Sequence, residues 1–290
     1  MELAQTRILI ATDLTERSKR ALGRGFLLAK ELEASLFVAH VVDEKLPAKS
    51  KAKAIDQAAK ALSRDMEEAI AATGVEATFE VLVGRPDTEI PKLTGSSDID
   101  LAVLGVDDSF TRQDRTFAET TAGRILLSSQ TATLLVKVDP HQSYRQIVVG
   151  VDFSVYSRAA IRQALQVAPS ANLHLVHAYQ LPFQGFLGRA DIGGEVAYAE
   201  RLEFNAFIQE EMDALEKRAE RLGALSGYIR KTVEEGDPRV VLRSACARVN
   251  AELLVIGTHA RTGVSEAVWG SVATDILQNP PCDLLIVRPS

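Results

Sequence analysis

Residues 253–272, LLVIGTHARTGVSEAVWGSV, determine how the rest of the chain is interpreted. A short apolar run ends at Gly257, a polar and basic loop follows, and Gly270 and Ser271 open a segment with a helical pattern through Leu277. A strand, a loop and a helix start in this order present backbone N–H groups and the positive end of a helix dipole to an anion. The pattern predicts a phosphate-binding loop.

The small residues of this loop suit a phosphate. Gly257 and Gly270 have no Cβ to keep a ligand away from the backbone, and the Ser271 hydroxyl can donate to a phosphate oxygen. The chain contains no G-x-x-x-x-G-K-[S/T] and no G-x-G-x-x-G after a strand, so the two commoner phosphate loops are excluded.

Composition limits the classes of protein that this chain can belong to. A length of 290 residues with 46% hydrophobic and 25% charged content suits two ordinary globular domains. No apolar run approaches the roughly 20 residues that span a bilayer, and the N-terminus lacks a signal-peptide layout, so we expect a cytoplasmic protein without a membrane segment. A net charge of −6 argues against a nucleic-acid surface.

Two features that could hold a metal are better explained otherwise. Cys246 lies in a helical pattern and Cys282 precedes the last strand, as small core residues do. His174 and His177 are three positions apart on a predicted strand, so their side chains point to opposite faces of the sheet. The sequence therefore predicts neither a disulfide nor a histidine metal site, and it leaves open whether a metal accompanies the phosphates.

The chain repeats itself from about Gln146. Asp152 repeats Asp13 after a first strand, His177 repeats His40 in a second strand, and the glycine pairs 84 and 236, and 105 and 257, follow in the same order. One insertion between residues 177 and 236 accounts for the change in spacing. The insertion contains Phe183, Phe186 and Leu187, which either bury against a long helix, cover the pocket or contact a protein partner.

Each half has the pattern β-α-β-α-β-α-β-α-β, with near-continuous apolar strands. The predicted fold class is α/β: two repeated doubly wound domains, 1–140 and 144–290, each with a five-stranded parallel sheet flanked by helices. In such sheets a ligand lies beyond the carboxyl ends of the strands, where the strand order reverses. Asp152, Ala178 and Gly257 all lie at strand carboxyl ends, so we expect them to share one crevice.

The spacing of the loop resembles that of a known family. Gly257, Ala260, nine further residues and then Gly270-Ser271 resemble the nucleotide loop of the universal stress proteins, written G-x-x-G, nine residues, G-[S/T], with alanine in place of the second glycine. V-D-x-S-x-x-S at 151–157, G-x-P at Gly236 and the closing run PPCDLLIVR at 280–288 extend the resemblance over nearly the whole chain. The chain is similar to two such proteins in tandem.

This resemblance implies a Rossmann-like, adenine-nucleotide-binding fold in which the last strands of the two halves pair antiparallel and the halves pack as an internal pseudo-dimer. It also implies an ATP site in the second half. Asp152 can accept from a ribose hydroxyl or hold a metal ion, and Arg261 can make charge-assisted contacts with phosphate. His259, in the same loop, can touch phosphate or stay in solvent. By resemblance, adenine and ribose meet Val151, Asp152, Phe153, Ala178 and Gly257, and the phosphates meet Ala260, Arg261, Gly270, Ser271 and Val272.

The first half departs from this pattern. Asp13, Val41 and Gly105 still supply the nucleoside part of a pocket, but Glu119 and Thr120 stand about where the second half has Gly270 and Ser271. A carboxylate close to a triphosphate is unfavourable electrostatically. The sequence therefore predicts a degenerate first site that binds ATP weakly or not at all.

Three functions are compatible with these patterns. The first is a cytoplasmic stress-response protein that binds ATP in its C-terminal domain and switches a conformational or oligomeric equilibrium, with Mg²⁺ and a homodimer left open. No Walker lysine and no Cys/His pair indicates efficient turnover, so we expect a non-enzyme with at most weak ATPase activity. The second is an interaction module without nucleotide, which uses the apolar insertion as its surface. The third is a hydrolase of adenine nucleotides.

Overall fold

The computed structural model describes residues 5–96, 99–106, 116–180, 190–219, 228–258 and 270–288. Contacts divide the chain into two units, the first made of residues up to 143 together with 277–288, and the second made of residues 144–276. Among the described helices, none is both long enough and apolar enough to cross a membrane.

The first unit alternates strands and helices as predicted. A short 3₁₀ turn, Phe117–Glu119, precedes its last helix. Its elements are β1 (Arg7–Thr12), α1 (Glu16–Leu32), β2 (Ser35–Asp43), α2 (Ala48–Thr73), β3 (Ala77–Gly84), α3 (Pro86–Ser96), β4 (Leu101–Gly105), α4 (Thr121–Ser128) and β5 (Ala132–Val136).

The second half of the chain repeats this order. Its second helix has 30 residues, against 26 in the first unit, and its first helix has 13, against 17. Its elements are β6 (Gln146–Val151), α5 (Val155–Val167), β7 (Asn172–Tyr179), α6 (Ala190–Ala219), β8 (Ile229–Glu235), α7 (Pro238–Val249), β9 (Leu253–Gly257), α8 (Ser271–Gln278) and β10 (Asp283–Val287).

The sheets confirm the α/β fold. In the first unit the parallel strand order is β3-β2-β1-β4-β5, and in the second it is β8-β7-β6-β9. The last strand, β10, clusters with the first unit and pairs antiparallel with β5, with Leu284 opposite Leu135. The antiparallel pairing implied by the family resemblance is therefore confirmed.

The central strands are apolar because both of their faces are covered. Residues 253–255 of β9 and 147–149 of β6 are fully buried, which is the burial expected of a parallel sheet between helical layers. The strand order reverses between β6 and β9, so the connections that follow these two strands run in opposite directions and leave a crevice at their carboxyl ends. This crevice is where the predicted site residues of the second half lie.

The repeat extends to single hydrogen bonds. His40 Nδ1 lies 2.9 Å from the carbonyl oxygen of Thr12, and His177 Nδ1 lies 2.8 Å from that of Val151. Each histidine is directly opposite its carbonyl partner in the register of the first two strands of its half. The chain therefore conserves a backbone anchor between its two halves that composition alone does not require.

Helix α6 is the counterpart of α2 and has 30 residues where α2 has 26. Its side chains Phe204, Phe207 and Ile208 are buried, and Glu211 is fully buried. Residues 183–187, where the sequence indicates a lid, a partner surface or a core segment, lie outside the described residues. Their role stays a prediction.

Candidate functional site

An open cavity lies at the carboxyl ends of β6, β7 and β9. Its volume, with the open space at its mouth included, is about 750 Å³. Its walls are the strand ends and the first turns of α5, α7 and α8. The lining residues are Gly150, Val151, Asp152, Ser157, Val176, Ala178, Pro238, Leu242, Ile256, Gly257, Thr258, Gly270, Ser271, Val272 and Ala273.

The structure brings most of the predicted site residues of the second half to this cavity. Phe153 is the exception among the described residues, since it is not part of the lining. His259, Ala260 and Arg261 lie outside the described residues, and their predicted contacts with phosphate stay predictions. The predicted residues that line the cavity are Val151, Asp152, Ala178, Gly257, Gly270, Ser271 and Val272.

Several lining residues were missed by the sequence analysis. Gly150 and Val176 lie two positions before Asp152 and Ala178, and residues two apart in a strand face the same side of a sheet. That periodicity could have found them. A Cβ on Gly150 would lie 3.2 Å from the Ile256 side chain and 3.3 Å from that of Leu242, so this glycine leaves room at the cavity floor.

Helix α7 supplies an apolar wall by its first two turns. Asp237 caps the helix by accepting from Arg239 N, and Pro238 follows as the first helical residue. Leu242 comes four positions later, on the same helix face as Pro238, and both line the cavity. The G-D-P motif was recognised in the sequence only as part of the repeat, and its structural effect is to aim this helix at the site.

The Asp152 carboxylate is held by the first turn of α5. Its Oδ1 accepts from the Ser154 backbone N at 3.1 Å, from Ser154 Oγ at 2.6 Å, and from Ser157 Oγ. Its backbone N donates to Ser157 Oγ at 2.8 Å. Every hydrogen bond that Asp152 makes within the described part of the chain falls on Oδ1 or the backbone. Oδ2 therefore remains an acceptor at the edge of the cavity.

Phe153 turns away from the cavity. Its φ is 63°, in the left-handed region that few non-glycine residues adopt. The ring lies 4.2 Å from the His177 ring and 5.5 Å from that of Phe207, centroid to centroid. Its side chain thus packs under α6, and only its backbone remains next to Asp152.

The start of α8 presents backbone donors to the cavity. Gly270 N donates to the Thr258 carbonyl oxygen at 3.0 Å, and the first helical bond runs from Thr274 N to the Gly270 oxygen at 2.9 Å. The N–H groups of residues 271–273 lie between these two bonds, and no described side chain accepts from them. They form the positive end of the helix dipole. The N–H of Gly270 itself is occupied by Thr258.

Gly257 is required by packing as well as by any ligand. A Cβ at this position would lie 2.5 Å from Tyr156 Cβ and 3.1 Å from the Tyr156 carbonyl carbon. At Gly105, the counterpart in the first unit, a Cβ would meet the backbone of Arg17. The close approach of α5 to β9, and of α1 to β4, accounts for both glycines without reference to phosphate.

In the first unit the counterpart of Asp152 is paired. Asp13 Oδ1 accepts from Thr15 Oγ1 at 2.5 Å, and Oδ2 accepts from Arg17 Nε at 3.1 Å and Nη2 at 2.5 Å. Burial raises the pKa of the Asp13 carboxyl, but the hydrogen bonds from Thr15 and Arg17 outweigh this effect, so its pKa lies below the usual value. Both oxygens are engaged, whereas Asp152 has Tyr156 in place of Arg17 and keeps one oxygen available.

The helix start of the first unit is also closed. Thr120 precedes α4 and its Oγ1 accepts from Gly123 N at 3.0 Å. A Cβ at Gly123 would collide with the Phe117 carbonyl, so the 3₁₀ turn lies directly against this helix start. The predicted first-site residues Asp13, Gly105 and Thr120 thus engage protein groups, and Val41 lies in β2, opposite Leu82.

The helix starts add one detail to the predicted correspondence of Glu119 with Gly270. Helix α4 begins at Thr121 and α8 at Ser271, so the residue directly before the helix is Thr120 in the first unit and Gly270 in the second, although β5 and β10 keep the spacing that aligns Glu119 with Gly270. The Glu119 carboxylate accepts from Thr116 N at 2.8 Å within the 3₁₀ turn. The first site is closed by a capping hydroxyl at the helix start rather than by that carboxylate.

The two histidines of β7 lie apart, as predicted. His174 Nε2 is 2.9 Å from Gln146 Oε1, and burial followed by the nearby charges of Arg230 and Arg248 lowers its pKa. His177 contacts Val151 and α6. No group of three or more His, Cys, Asp or Glu side chains within the described ranges has the geometry to hold a metal ion.

Two regions of the chain, 5–139 and 143–288, match the model of the universal stress protein family. The chain belongs to the universal stress protein family. Because the family model matches twice in succession, the protein is a tandem universal stress protein, and the resemblance seen in the sequence is confirmed.

Relatives and solved structures agree with this assignment. A universal stress protein of Methanocaldococcus jannaschii is 28% identical over 145 residues, which cover 50% of this chain and 82% of that protein. A universal stress protein of Synechocystis is 24% identical over 154 residues, covering 50% of this chain and 98% of the relative. The crystal structure of a universal stress protein from Archaeoglobus fulgidus aligns with a TM-score of 0.70 at 17% identity, over 99% of this chain and 100% of that one, which shows a shared fold.

Proposed function

We propose that this tandem universal stress protein binds one ATP per chain in the cavity of its second unit and acts as a nucleotide-dependent switch. One observation carries the proposal: an apolar cavity, a carboxylate oxygen and a helix start with three backbone donors lie together at the switch point of one sheet. These groups match the three chemical parts of a nucleoside triphosphate.

Each part of ATP has a suitable partner among the described residues. The apolar side chains of Val151, Val176 and Leu242 offer a desolvated wall for an adenine ring. Asp152 Oδ2 can accept from a ribose hydroxyl. The N–H groups of residues 271–273 and the Ser271 hydroxyl can donate to phosphate oxygens, where the helix dipole favours negative charge. The residues present therefore fit the nucleotide, and Mg²⁺ would reach the site with the phosphates.

We further propose that the protein releases ATP unchanged far more often than it hydrolyses it. Among the described lining residues, Asp152 carries the one carboxylate, and its Oδ1 already accepts from Ser154 and Ser157. A general base must reach the attacking water and hold a suitable pKa. A side chain committed to the first turn of α5 is poorly placed for that role, so switching rather than turnover is the function that the site supports.

Binding is proposed for the second unit alone. In the first unit Arg17 neutralises Asp13, and Thr120 caps the helix that would receive the phosphates. Both interactions would have to break before a nucleotide could use the same groups. The cost of two such interactions is roughly 1–3 kcal/mol, enough to weaken binding by about fivefold or more.

The decisive experiment is isothermal titration of ATP with Mg²⁺ into the full chain after removal of copurified nucleotide. The expected stoichiometry is one. Two matched variants assign the site: Asp152→Asn keeps the contacts of Oδ1 but replaces the second oxygen by a donor and should lower affinity, whereas Asp13→Asn should leave affinity unchanged. Two sites per chain, no binding, or equal effects of the two variants would each contradict the proposal.

A further inference from the structure

We propose that helix α6 senses the occupancy of the cavity, through Phe153 and His177, and is the element that switches when nucleotide binds. This inference rests on the proposed function and adds the identity of the responding part. Helix α6 is the counterpart of α2, and it lies outside the cavity lining. It can therefore change its stability without changing a direct ligand contact.

The first connection is the junction between Asp152 and Phe153. Asp152 borders the cavity, and the next residue, with φ of 63°, directs its ring to the opposite side of the strand end. The Phe153 ring lies 6.0 Å from Phe204 and 5.5 Å from Phe207, both on α6 and both buried. A shift of the Asp152 backbone on binding must therefore move a ring on which α6 packs.

The second connection is His177. Its Nδ1 lies 2.8 Å from the carbonyl oxygen of Val151, which lines the cavity, and its Nε2 lies 3.0 Å from Glu200 Oε2 on α6. The two ring nitrogens thus contact one group on β6 and one group on α6. One buried side chain thus ties the end of β6 to α6.

The third connection fixes α6 to the helix that holds Asp152. Glu211 is fully buried and accepts from Arg158 and from Arg162 Nη2 at 3.0 Å, and both arginines lie on α5. The Arg158 guanidinium also lies 4.3 Å from the centre of the Phe207 ring. Ser157 of the same helix holds the Asp152 carboxylate, so α5 and α6 respond to the cavity as one packed pair.

The first unit offers an internal comparison. Leu14 occupies the position of Phe153 with the same φ of 63°, and His40 bonds the carbonyl of Thr12, but no described carboxylate lies within bonding distance of His40 Nε2. Helix α2 therefore lacks two connections that α6 has: the contact between a histidine and a carboxylate, and the packing of an aromatic ring. It serves as a reference helix that ATP should leave unchanged.

The test is amide hydrogen exchange of the full chain, followed by mass spectrometry, with and without ATP and Mg²⁺. We expect exchange in residues 194–211 of α6 to slow about fivefold or more on binding, together with the cavity segments 150–157 and 270–278, while α2 stays constant. If ATP slows exchange in the cavity segments but not in α6, this inference is overturned and the proposed function stands. Absence of protection in both overturns the two together.

A variant separates the coupling from the binding. Glu200→Ala removes the acceptor of His177 Nε2 at a helix position far from the cavity lining, so ATP should still protect residues 270–278 but no longer slow exchange in α6. Because coupling is reciprocal, the same variant should speed exchange at 151–154 even without nucleotide. Glu200→Gln keeps an accepting oxygen and should behave as wild type, as should Gln209→Ala on the exposed face of α6. Unchanged α6 protection in Glu200→Ala overturns the proposal.

Discussion

Thr120 Oγ1 accepts a hydrogen bond from Gly123 N at 3.0 Å and thereby closes the start of α4. In the second half of the chain the residue before the equivalent helix is Gly270, which has no side chain to do this. The difference between an open and a closed anion site is thus one capping hydroxyl. A capping residue and a bound phosphate compete for the same backbone donors.

The variant Gly270→Thr copies the first unit into the second. We expect its ATP affinity to fall about fivefold, since a capping hydrogen bond is worth roughly 1 kcal/mol and must be displaced by phosphate. Glycine and threonine rank alike at the N-cap, so the thermal stability of the nucleotide-free protein should change little. Calorimetric titration and a thermal melt of one preparation measure the two effects.

Gly270→Ala is the matched control for this variant. It adds a Cβ without a hydroxyl, so it should change affinity less than the threonine does and should not stabilise the free protein. Equal losses of affinity in both variants would show that bulk at this position matters and that capping does not.

The sequence predicted the strands that build the site because their ends carry recognisable residues. Asp152, Ala178 and Gly257 follow apolar runs, and parallel strands bring their carboxyl ends to one edge, so the crevice followed from the pattern. The orientation of Phe153 was missed because the family resemblance placed residues 151–153 together at the ligand, whereas neighbouring residues of an extended chain point to opposite sides. Leu242 was also missed, since its position depends on the angle at which α7 leaves β8.

The cap at Thr120 could not be predicted from spacing. When β5 and β10 are aligned, Glu119 corresponds to Gly270, but α8 begins one residue earlier in that alignment than α4 does. A capping residue next to a helix is thus easier to identify from the structure than from spacing.

A pH-dependent contribution to stability is expected at Asp237, the N-cap of α7. Hydrogen bonds from the Arg239 side chain and then from its backbone lower the pKa of the Asp237 carboxyl to about 2. A lowered carboxyl pKa stabilises the fold at pH values above the unfolded value of 3.8, and this stabilisation is lost as the pH falls from there towards 2. Asp237→Asn keeps the capping oxygen and removes the charge.

Urea unfolding of wild type and Asp237→Asn at several pH values measures this contribution. The free energy of unfolding of the wild type should exceed that of the variant at pH 6, and the gap should narrow as the pH approaches 3. A gap of constant size would show that the charge of Asp237 plays no part.

Glu210 and Glu211 form a matched pair for measuring how burial changes the contribution of an ion pair to stability. Both carboxylates bond Arg158, but the Glu210 side chain is 71% exposed and that of Glu211 is fully buried. Removing a buried partner leaves a charge without compensation, which costs about 3–5 kcal/mol, and the partial exposure of Arg158 and Arg162 should reduce this to about 2 kcal/mol. An exposed pair contributes only about 0–1 kcal/mol.

We therefore expect Glu211→Ala to lower the free energy of unfolding by about 2 kcal/mol and Glu210→Ala by less than about 1 kcal/mol. Urea denaturation of the full chain, followed by circular dichroism, measures both. Equal effects would mean that solvent reaches Glu211 as readily as Glu210, and the attachment of α6 to α5 would then be weak.

Gly257 tests whether packing or ligand approach requires glycine at the end of β9. A Cβ there would lie 2.5 Å from Tyr156 Cβ, and the neighbour belongs to a helix whose backbone is also close. Gly257→Ala should therefore destabilise the nucleotide-free protein by about 1–3 kcal/mol, the usual cost of overpacking.

Gly194→Ala is the control, because nothing lies within 4 Å of its added Cβ and alanine favours a helix by about 0.5–1 kcal/mol. Urea unfolding without nucleotide should show opposite signs for the two variants. If Gly257→Ala lowered only the affinity for ATP and left the free energy of unfolding unchanged, the glycine would serve the ligand and not the contact between α5 and β9.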